Sequence, residues 1–271
     1  MVRLCWRIIG QSVVCCFKLE PNLYQIDYHD ARERIDAIVG RLRRDSTGPA
    51  LFLLQNEKQV RGDLCLRYLR NCLEGLGAER REYEIGALDM GGDYVETFSH
   101  KLADYLEVDC RSEGLIADVV NKLCENALNY SYCILSIQIK QEDEQNPFLD
   151  WFLNEFWSPL SDRLEQMQQQ GEEVIIVGIL STDRYLAEEQ LGQTFCRDVG
   201  GSDRKFFDLP ISAWTEKDIK QWLRGYARPT LSLGECTGIA DKVFQDTGGI
   251  PIDAWPAIQD IIQQLGRKES A

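Results

Sequence analysis

The chain has 271 residues, 44% of them apolar and 27% charged, with a formal net charge of −14. That is the composition of a folded globular protein and excludes collagen-like, low-complexity and largely disordered chains. The negative charge repels phosphate backbones and anionic bilayers, which argues against an electrostatically driven nucleic-acid binder.

Met1 to Glu20 is basic and apolar, with Arg3, Arg7 and Lys18 and no acid before Glu20. Its apolar stretch Ile8–Phe17 is interrupted by Gly10, Gln11 and Ser12 and lacks a small-residue cleavage site, so it does not read as a secretory signal. It is too short and too charged to span a bilayer, and no other segment could be transmembrane. The plain expectation is an extra strand or a tail. The sharper one is a palmitoylated Cys15–Cys16 pair on a basic arm. Ten cysteines and two histidines contain no CxxC pair, and Cys65, Cys72, Cys124 and Cys133 sit inside apolar-patterned segments. These are expected to be reduced thiols of a cytoplasmic protein, with no zinc site.

From Pro21 onward, strand-like and helix-like segments alternate. Tyr28–Arg44 has Ile35, Ile38, Val39 and Leu42 on one helical face, and Asp45-Ser-Thr-Gly-Pro49 ends it. Ala50–Leu54 is a continuous apolar strand. Leu64–Leu76 is an amphipathic helix with Gly77 as its stop. Arg81–Ile85 is a short strand, and Gly86–Gly92 a loop. Tyr94–Leu106 and Leu115–Leu128 are helices by spacing. Tyr132–Ile139 is a second apolar strand. Pro147–Gln170 is helical and rich in aromatics, with Ser158-Pro159 expected to restart it as cap and first residue. Val174–Leu180 is a third apolar strand and Lys205–Leu209 a weaker fourth.

Continuous apolar strands between helices predict a parallel sheet covered on both faces, an α/β, three-layer arrangement. After Thr215 only helices follow. Thr215 with Asp218 reads as a capping box for a helix through Arg224, and Gly234–Asp246 and Pro251–Leu265 come next. The expected organisation is an unassigned arm over 1–21, an α/β domain over 22–212 and a small C-terminal helical subdomain over 213–271.

In open parallel sheets, ligands bind beyond the carboxyl ends of the strands. The first strand is followed by Gln55-Asn-Glu-Lys-Gln-Val-Arg-Gly-Asp63 and at once by a helix, the layout of a phosphate-binding P-loop. Laid on G-x-x-x-x-G-K-[ST], Gly62 stands where the lysine belongs and Asp63 where the hydroxyl belongs. A carboxylate there satisfies the helix N-terminus itself and repels a phosphate, so Asp63 is expected to be a structural N-cap. The other reading keeps Lys58, Arg61, Gly62, Asp63 and Arg184 as an atypical nucleotide site for ATP or ADP with Mg²⁺.

The strand Ile134–Ile137 ends in Gln138 instead of the acid of a Walker B strand; the acids Glu142, Asp143 and Glu144 come later and read as a solvated loop. Ser181, Thr182 and Asp183 at the third strand tip could sense a γ-phosphate or cap the next helix. There is no G-x-S-x-G elbow, and His29 and His100 have no patterned nucleophile. Phe148, Trp151, Phe152, Phe156 and Trp157 read as core, with a partner-binding groove as the sharper alternative. Arg61-Gly62-Asp63 as an integrin motif is chance in such a chain, and Arg41, Arg43 and Arg44 read as a solvated helix end. No catalytic or metal-binding residue is assigned.

Taken in order, these features resemble the STAND class of P-loop NTPases, signalling relatives of AAA+ proteins. The match rests on Ala50–Leu54, the degenerate loop to Asp63, Cys133–Ile137, Val174–Leu180 with Ser181-Thr-Asp-Arg184, Asp208-Leu-Pro-Ile-Ser212 before Thr215–Leu223, and Gly249-Ile-Pro251, which resembles a GxP motif. The broken P-loop, with Asn22–Tyr28, Phe52–Asn56 and Gly62–Cys65, makes the chain similar to the inactive STAND branch of bacterial, notably cyanobacterial, conflict and signalling proteins. The resemblance covers residues 22–265. It implies a P-loop NTPase-type fold that has lost hydrolysis and binds no cofactor. It also implies a module that relays recognition to a protein partner or effector in trans, with homo-oligomers possible in such switches. The competing readings are a nucleotide switch using Lys58, Arg61 and Arg184, and a small-molecule enzyme using the acidic loop 142–144.

Overall fold

The computed structural model describes residues 26, 28–88, 93–139, 148–186, 195–196, 204–226 and 231–268. The basic arm with Cys15–Cys16, the Gly91-Gly92 pair and the acids 142–144 lie outside the described residues.

Tyr28–Ser212 forms one compact unit. Its elements are α1 (His29–Asp45), β1 (Gly48–Leu54), α2 (Gly62–Glu74), β2 (Arg80–Leu88), α3 (Tyr94–Leu106), α4 (Leu115–Ala127) and β3 (Tyr132–Ile139). A long composite helix follows, built from α5 (Phe148–Trp151), a π-helical segment (Phe152–Trp157) and α6 (Ser158–Gln169). β4 (Ile175–Thr182), β5 (Phe195–Cys196) and β6 (Phe206–Asp208) complete it. Among the described residues the sheet has six strands in the order β2-β3-β4-β1-β6-β5, and every pairing between them is parallel. β1 and β4 are buried almost throughout because helices cover both faces, which is why their sequences are apolar without alternation; β3 is apolar to Leu135 and then alternates, with Ser136 and Gln138 half-buried beside the buried Ile137 and Ile139.

One face holds Leu51, Leu53, Leu135, Ile137, Ile176 and Leu180 against α3, α4 and the composite helix. The aromatic run belongs to this core: Phe98 lies edge-on to Phe148, Phe152 and Phe156 with centroids 5.8, 5.5 and 5.0 Å away. Phe148, Phe152, Phe156 and Trp157 are at most 1% exposed, so the groove alternative is overturned. Trp157 reaches β4 because Gly178 has no side chain; a β-carbon there would lie 2.5 Å from Leu51 Cδ1 and 2.8 Å from the Trp157 ring.

Several local expectations are corrected. Ser158 is not a cap: it has helical angles, and its N–H donates to Leu153 O, five residues back. The helix does not restart there. Pro159 offers no N–H, and its ring would clash with a carbonyl four residues earlier, so the preceding turn widens into the π form. α2 runs from Gly62 to Glu74 and is closed by Gly75 as its C-cap, two residues before the expected stop at Gly77. The two-residue strand β5 was too short to leave a sequence pattern. Arg41 is more than a solvated helix end, since its guanidinium lies 5.9 Å from the Phe207 ring centroid.

Residues from Ala213 onward belong to a second compact unit. It contains α7 (Glu216–Tyr226), α8 (Leu233–Thr247) and α9 (Pro251–Lys268). The Thr215–Asp218 capping box is present in both directions, with Asp218 N–H donating to Thr215 Oγ1 at 3.2 Å and Thr215 N–H to Asp218 Oδ2 at 2.7 Å. A second box, Ser232 with Glu235, starts α8. Trp222 and Trp255 pack edge to face at 5.7 Å in its core.

Candidate functional site

The carboxyl ends of the strands align at one edge of the sheet. Leu54 pairs with Ser181, Gln138 with Ser181 across β3–β4, and Leu53 with Asp208. The loop from Gln55 to Arg61 leaves β1 at this edge and delivers α2, so the expected P-loop position is where the fold puts it.

The loop is closed upon itself. Glu57 N–H donates to Thr182 O at the tip of β4 at 2.9 Å. Val60 N–H donates to Asn56 O at 3.3 Å, Arg61 N–H to Lys58 O at 3.4 Å and Gly62 N–H to Glu57 O at 2.7 Å. Leu64 N–H donates to Arg61 O at 2.9 Å. These backbone donors are the kind that would cradle phosphates in a working loop, and here each is directed to a carbonyl of the chain itself. Asn56 and Arg61 hold the bend in left-handed conformations, with φ of 54° and 50°. From the N-cap of α1, the Tyr28 hydroxyl donates toward the carbonyls of Val60 and Arg61 at 3.2 and 3.3 Å.

Gly62 is crowded. A β-carbon there would fall 2.6 Å from Leu54 Cδ2, 2.9 Å from Glu57 Cγ and 3.1 Å from Glu57 Cα. The space from which a P-loop lysine would reach forward is therefore filled. Asp63 is not the N-cap. That position belongs to Arg61, whose side chain can only donate, and no side-chain cap bond forms. The Asp63 carboxylate turns back instead and takes a bidentate pair from Arg61, Nε at 2.9 Å and Nη2 at 3.1 Å. It still places negative charge in the first turn of α2.

Lys58 lies 3.3 Å from Asp183 Oδ2 and so spans from the loop to the β4 tip. Arg184 is exposed, and its carbonyl accepts from Thr182 Oγ1 at 2.7 Å. Thus Lys58 is brought to Asp183, Arg61 to Asp63, and Arg184 points to solvent. Ser181 and Thr182 are buried at the strand end, and none of Ser181, Thr182 and Asp183 caps a helix among the described residues.

The residues that organise this edge were not singled out by the motif. Gln55, 9% exposed, donates from Nε2 to Asp208 Oδ1 at 3.1 Å and accepts from Leu186 N–H at 2.9 Å. Arg34 of α1 donates to Asp208 O at 2.7 Å. A polar residue directly after an apolar strand was the available signal. It could not reveal a partner 153 positions away.

A nucleoside triphosphate with Mg²⁺ does not fit these residues. The amides of Glu57, Val60, Arg61, Gly62 and Leu64 are directed to carbonyls of the chain, the lysine position is occupied by neighbours, and the hydroxyl position carries a carboxylate. Cavities of about 470 Å³ between α4 and α6, including Val120, Asn121, Pro159 and Arg163, and of about 370 Å³ at the opposite sheet edge, including Ser46 and Ser131, lie away from the loop. Among the described residues no group of three or more His, Cys, Asp or Glu is placed to hold a metal. No helix among them is long and apolar enough to cross a membrane. His29 makes a surface contact with Glu33 at 3.1 Å. The thiols of Cys65, Cys124 and Cys133 are pushed up to about 12, first by burial, which makes them poor nucleophiles.

The sheet order, the strand–loop–helix and the self-satisfied loop together define a P-loop NTPase-type α/β domain whose phosphate site is closed. The sequence pattern of the family described as inactive STAND matches residues 23–179, more than half of the chain. The protein belongs to that family. Among solved structures it is similar to Cdc6p from Pyrobaculum aerophilum, with 16% identity, 93% of this chain and 63% of that chain covered, and a TM-score of 0.48. It is also similar to the Aeropyrum pernix ORC2 protein in its ADP form, with 14% identity, 89% and 67% coverage, and a TM-score of 0.45. The chain thus spans less than two thirds of the length of the Pyrobaculum protein. No curated protein matches it.

Proposed function

We propose that this chain is a catalytically inactive STAND-like domain that acts as a protein-interaction and signal-relay module in a bacterial signalling or defence system. In this reading residues 22–212 keep the NTPase shape, residues 213–271 form its helical subdomain, and the module relays to a protein partner or effector. The observation that carries the reading is the loop at 56–64. Its amides bind Thr182 and the loop's own carbonyls, and Gly62 leaves no room for the lysine that phosphate binding requires. Such a loop is a rigid connection between β1, β4 and α2. A relay needs that rigidity, and a nucleotide switch would need the same donors released.

The test is native mass spectrometry of the purified protein followed by calorimetric titration with ATP and ADP plus Mg²⁺. The expected outcome is no carried-through nucleotide and no heat of binding up to millimolar concentration. Micromolar binding lost on substitution of Lys58 or Arg184 would replace this reading with the nucleotide switch.

A further inference from the structure

Besides Leu233 at the start of α8, three of the large apolar side chains that the helical unit exposes flank the turn between α8 and α9. Phe244 near the end of α8, Ile250 in the following turn and Ile252 in the first turn of α9 are 39%, 42% and 43% exposed. They stand on a fixed turn. Gly248 N–H donates to Phe244 O at 2.8 Å, Trp214 N–H donates to Gly249 O at 2.8 Å, and Ile250 O accepts from Asp253 and Ala254 at 3.0 and 2.8 Å. Gly249 lies against Phe244: a β-carbon there would meet Phe244 Cδ2 at 3.2 Å.

Acids border the same place, with the exposed Lys217 and Lys242 among them. Asp241 sits one helical turn before Phe244, and its carboxylate stands near that of Glu216 at the start of α7. Asp241, which can accept from the protonated form of Glu216 and repels its ionised form, holds the Glu216 carboxyl above its ordinary range, while Lys220 on α7 pulls the other way. Asp246 and Asp253 are exposed beside the turn. Two like charges kept together next to exposed apolar groups are relieved when a cation bridges them and an apolar surface covers their neighbours.

We propose that Phe244, Ile250 and Ile252, with the Glu216–Asp241 pair, form the docking face for a partner segment carrying apolar side chains flanked by Lys or Arg. Charge selects this occupant. A second copy would bring acid onto acid, and the chain's net charge of −14 opposes that. The proposal rests on the interaction-module reading and names the chemistry of its partner.

The test uses the full chain and fluorescence anisotropy with a labelled amphipathic peptide of Leu and Lys at helical spacing. A counterpart peptide carries Glu in place of every Lys. The Lys peptide is expected to bind at least about tenfold more tightly than the Glu peptide. The double variant Phe244→Ser with Ile250→Ser, its fold checked by circular dichroism, is expected to weaken binding by at least about tenfold. Glu216→Gln with Asp241→Asn is expected to weaken it and flatten its salt dependence. The proposal is overturned if the double serine variant binds the Lys peptide as tightly as the parent, which would place the attraction elsewhere on an acidic chain. It is overturned equally if the Glu peptide binds as well, or if sedimentation shows self-association that the serine variant abolishes. None of these variants touches the loop at 56–64. Failure here therefore removes the docking face alone, whereas nucleotide binding in the calorimeter removes the reading beneath it.

Discussion

Gly62 and Leu54 are packed so closely that a β-carbon on the first would sit 2.6 Å from Cδ2 of the second. The residue that ends the first strand thus closes the position from which a phosphate-binding lysine would extend. Gly62→Lys puts back the missing charge and is expected to restore nothing. It should lower stability by about 1–3 kcal/mol through overpacking, with no ATP binding. Urea unfolding and calorimetry on the same sample check both parts. A stable variant that binds ATP would show that the loop yields to a single side chain.

Gly178 makes a second close approach, inside the core. Its substitution by Ala forces a methyl against Leu51 Cδ1 and the Trp157 ring. The expected loss is about 1–3 kcal/mol. Leu51→Val in the same chain should recover part of it, because it removes the Cδ1 that the methyl would strike. Thermal melts of the single and double variants decide this.

In the helical unit, Gly248 and Gly249 both have positive φ, at 62° and 74°, but only Gly249 is hemmed in, with a would-be β-carbon 1.9 Å from Trp214 O. Gly248→Ala is expected to cost about 1 kcal/mol, the ordinary cost of a left-handed residue. Gly249→Ala is expected to cost about 2–4 kcal/mol, because the Trp214 backbone must also move. Hydrogen exchange over α7–α9 should separate the two. Equal effects would mean that the Trp214 contact carries no weight.

The buried thiols give a pH dependence with a definite sign. Cys65, Cys124 and Cys133 keep their protons to about 12 in the folded chain, and an unfolded thiol releases its proton near 9. Folding therefore favours the protonated form. The contribution is complete below about pH 9 and is lost as pH rises toward 12, by about 1.4 kcal/mol per pH unit for each thiol. Urea midpoints at pH 8, 9 and 10 should fall progressively. Cys124→Ala should be less stable at pH 8 but should lose stability less steeply. An unchanged slope in that variant would mean that the thiol is not held protonated.

Much of the fold was legible because it rests on periodicity. The strands at 50–54 and 174–180 are apolar without alternation, the strand at 132–139 is apolar except at Ser136 and Gln138, and the helices between them repeat their apolar residues at helical spacing. The place of the candidate site was legible too, since it follows from a strand–loop–helix at the carboxyl edge. The internal wiring of the site was not. Whether Asp63 caps α2 depends on the left-handed turn at Arg61, and the crowding at Gly62 depends on Leu54 and Glu57 side chains that no local pattern records. Gln55 and Asp208 meet only after β6 has been laid beside β1.

The π-helical segment at Phe152–Trp157 has a consequence for how this chain can vary in length. A residue added to an α-helix turns everything after it by about 100°, unless the helix absorbs it locally as a wider turn. Here the wider turn lets Phe152 and Trp157 stack with centroids 6.1 Å apart while Leu160, Leu164 and Met167 stay in the core. Asn154 and Glu155 lie on the exposed crest of that turn. Relatives one residue shorter are expected to have lost their residue at this crest, since a deletion within Ser158–Gln169 would rotate the aliphatic face of α6 into water.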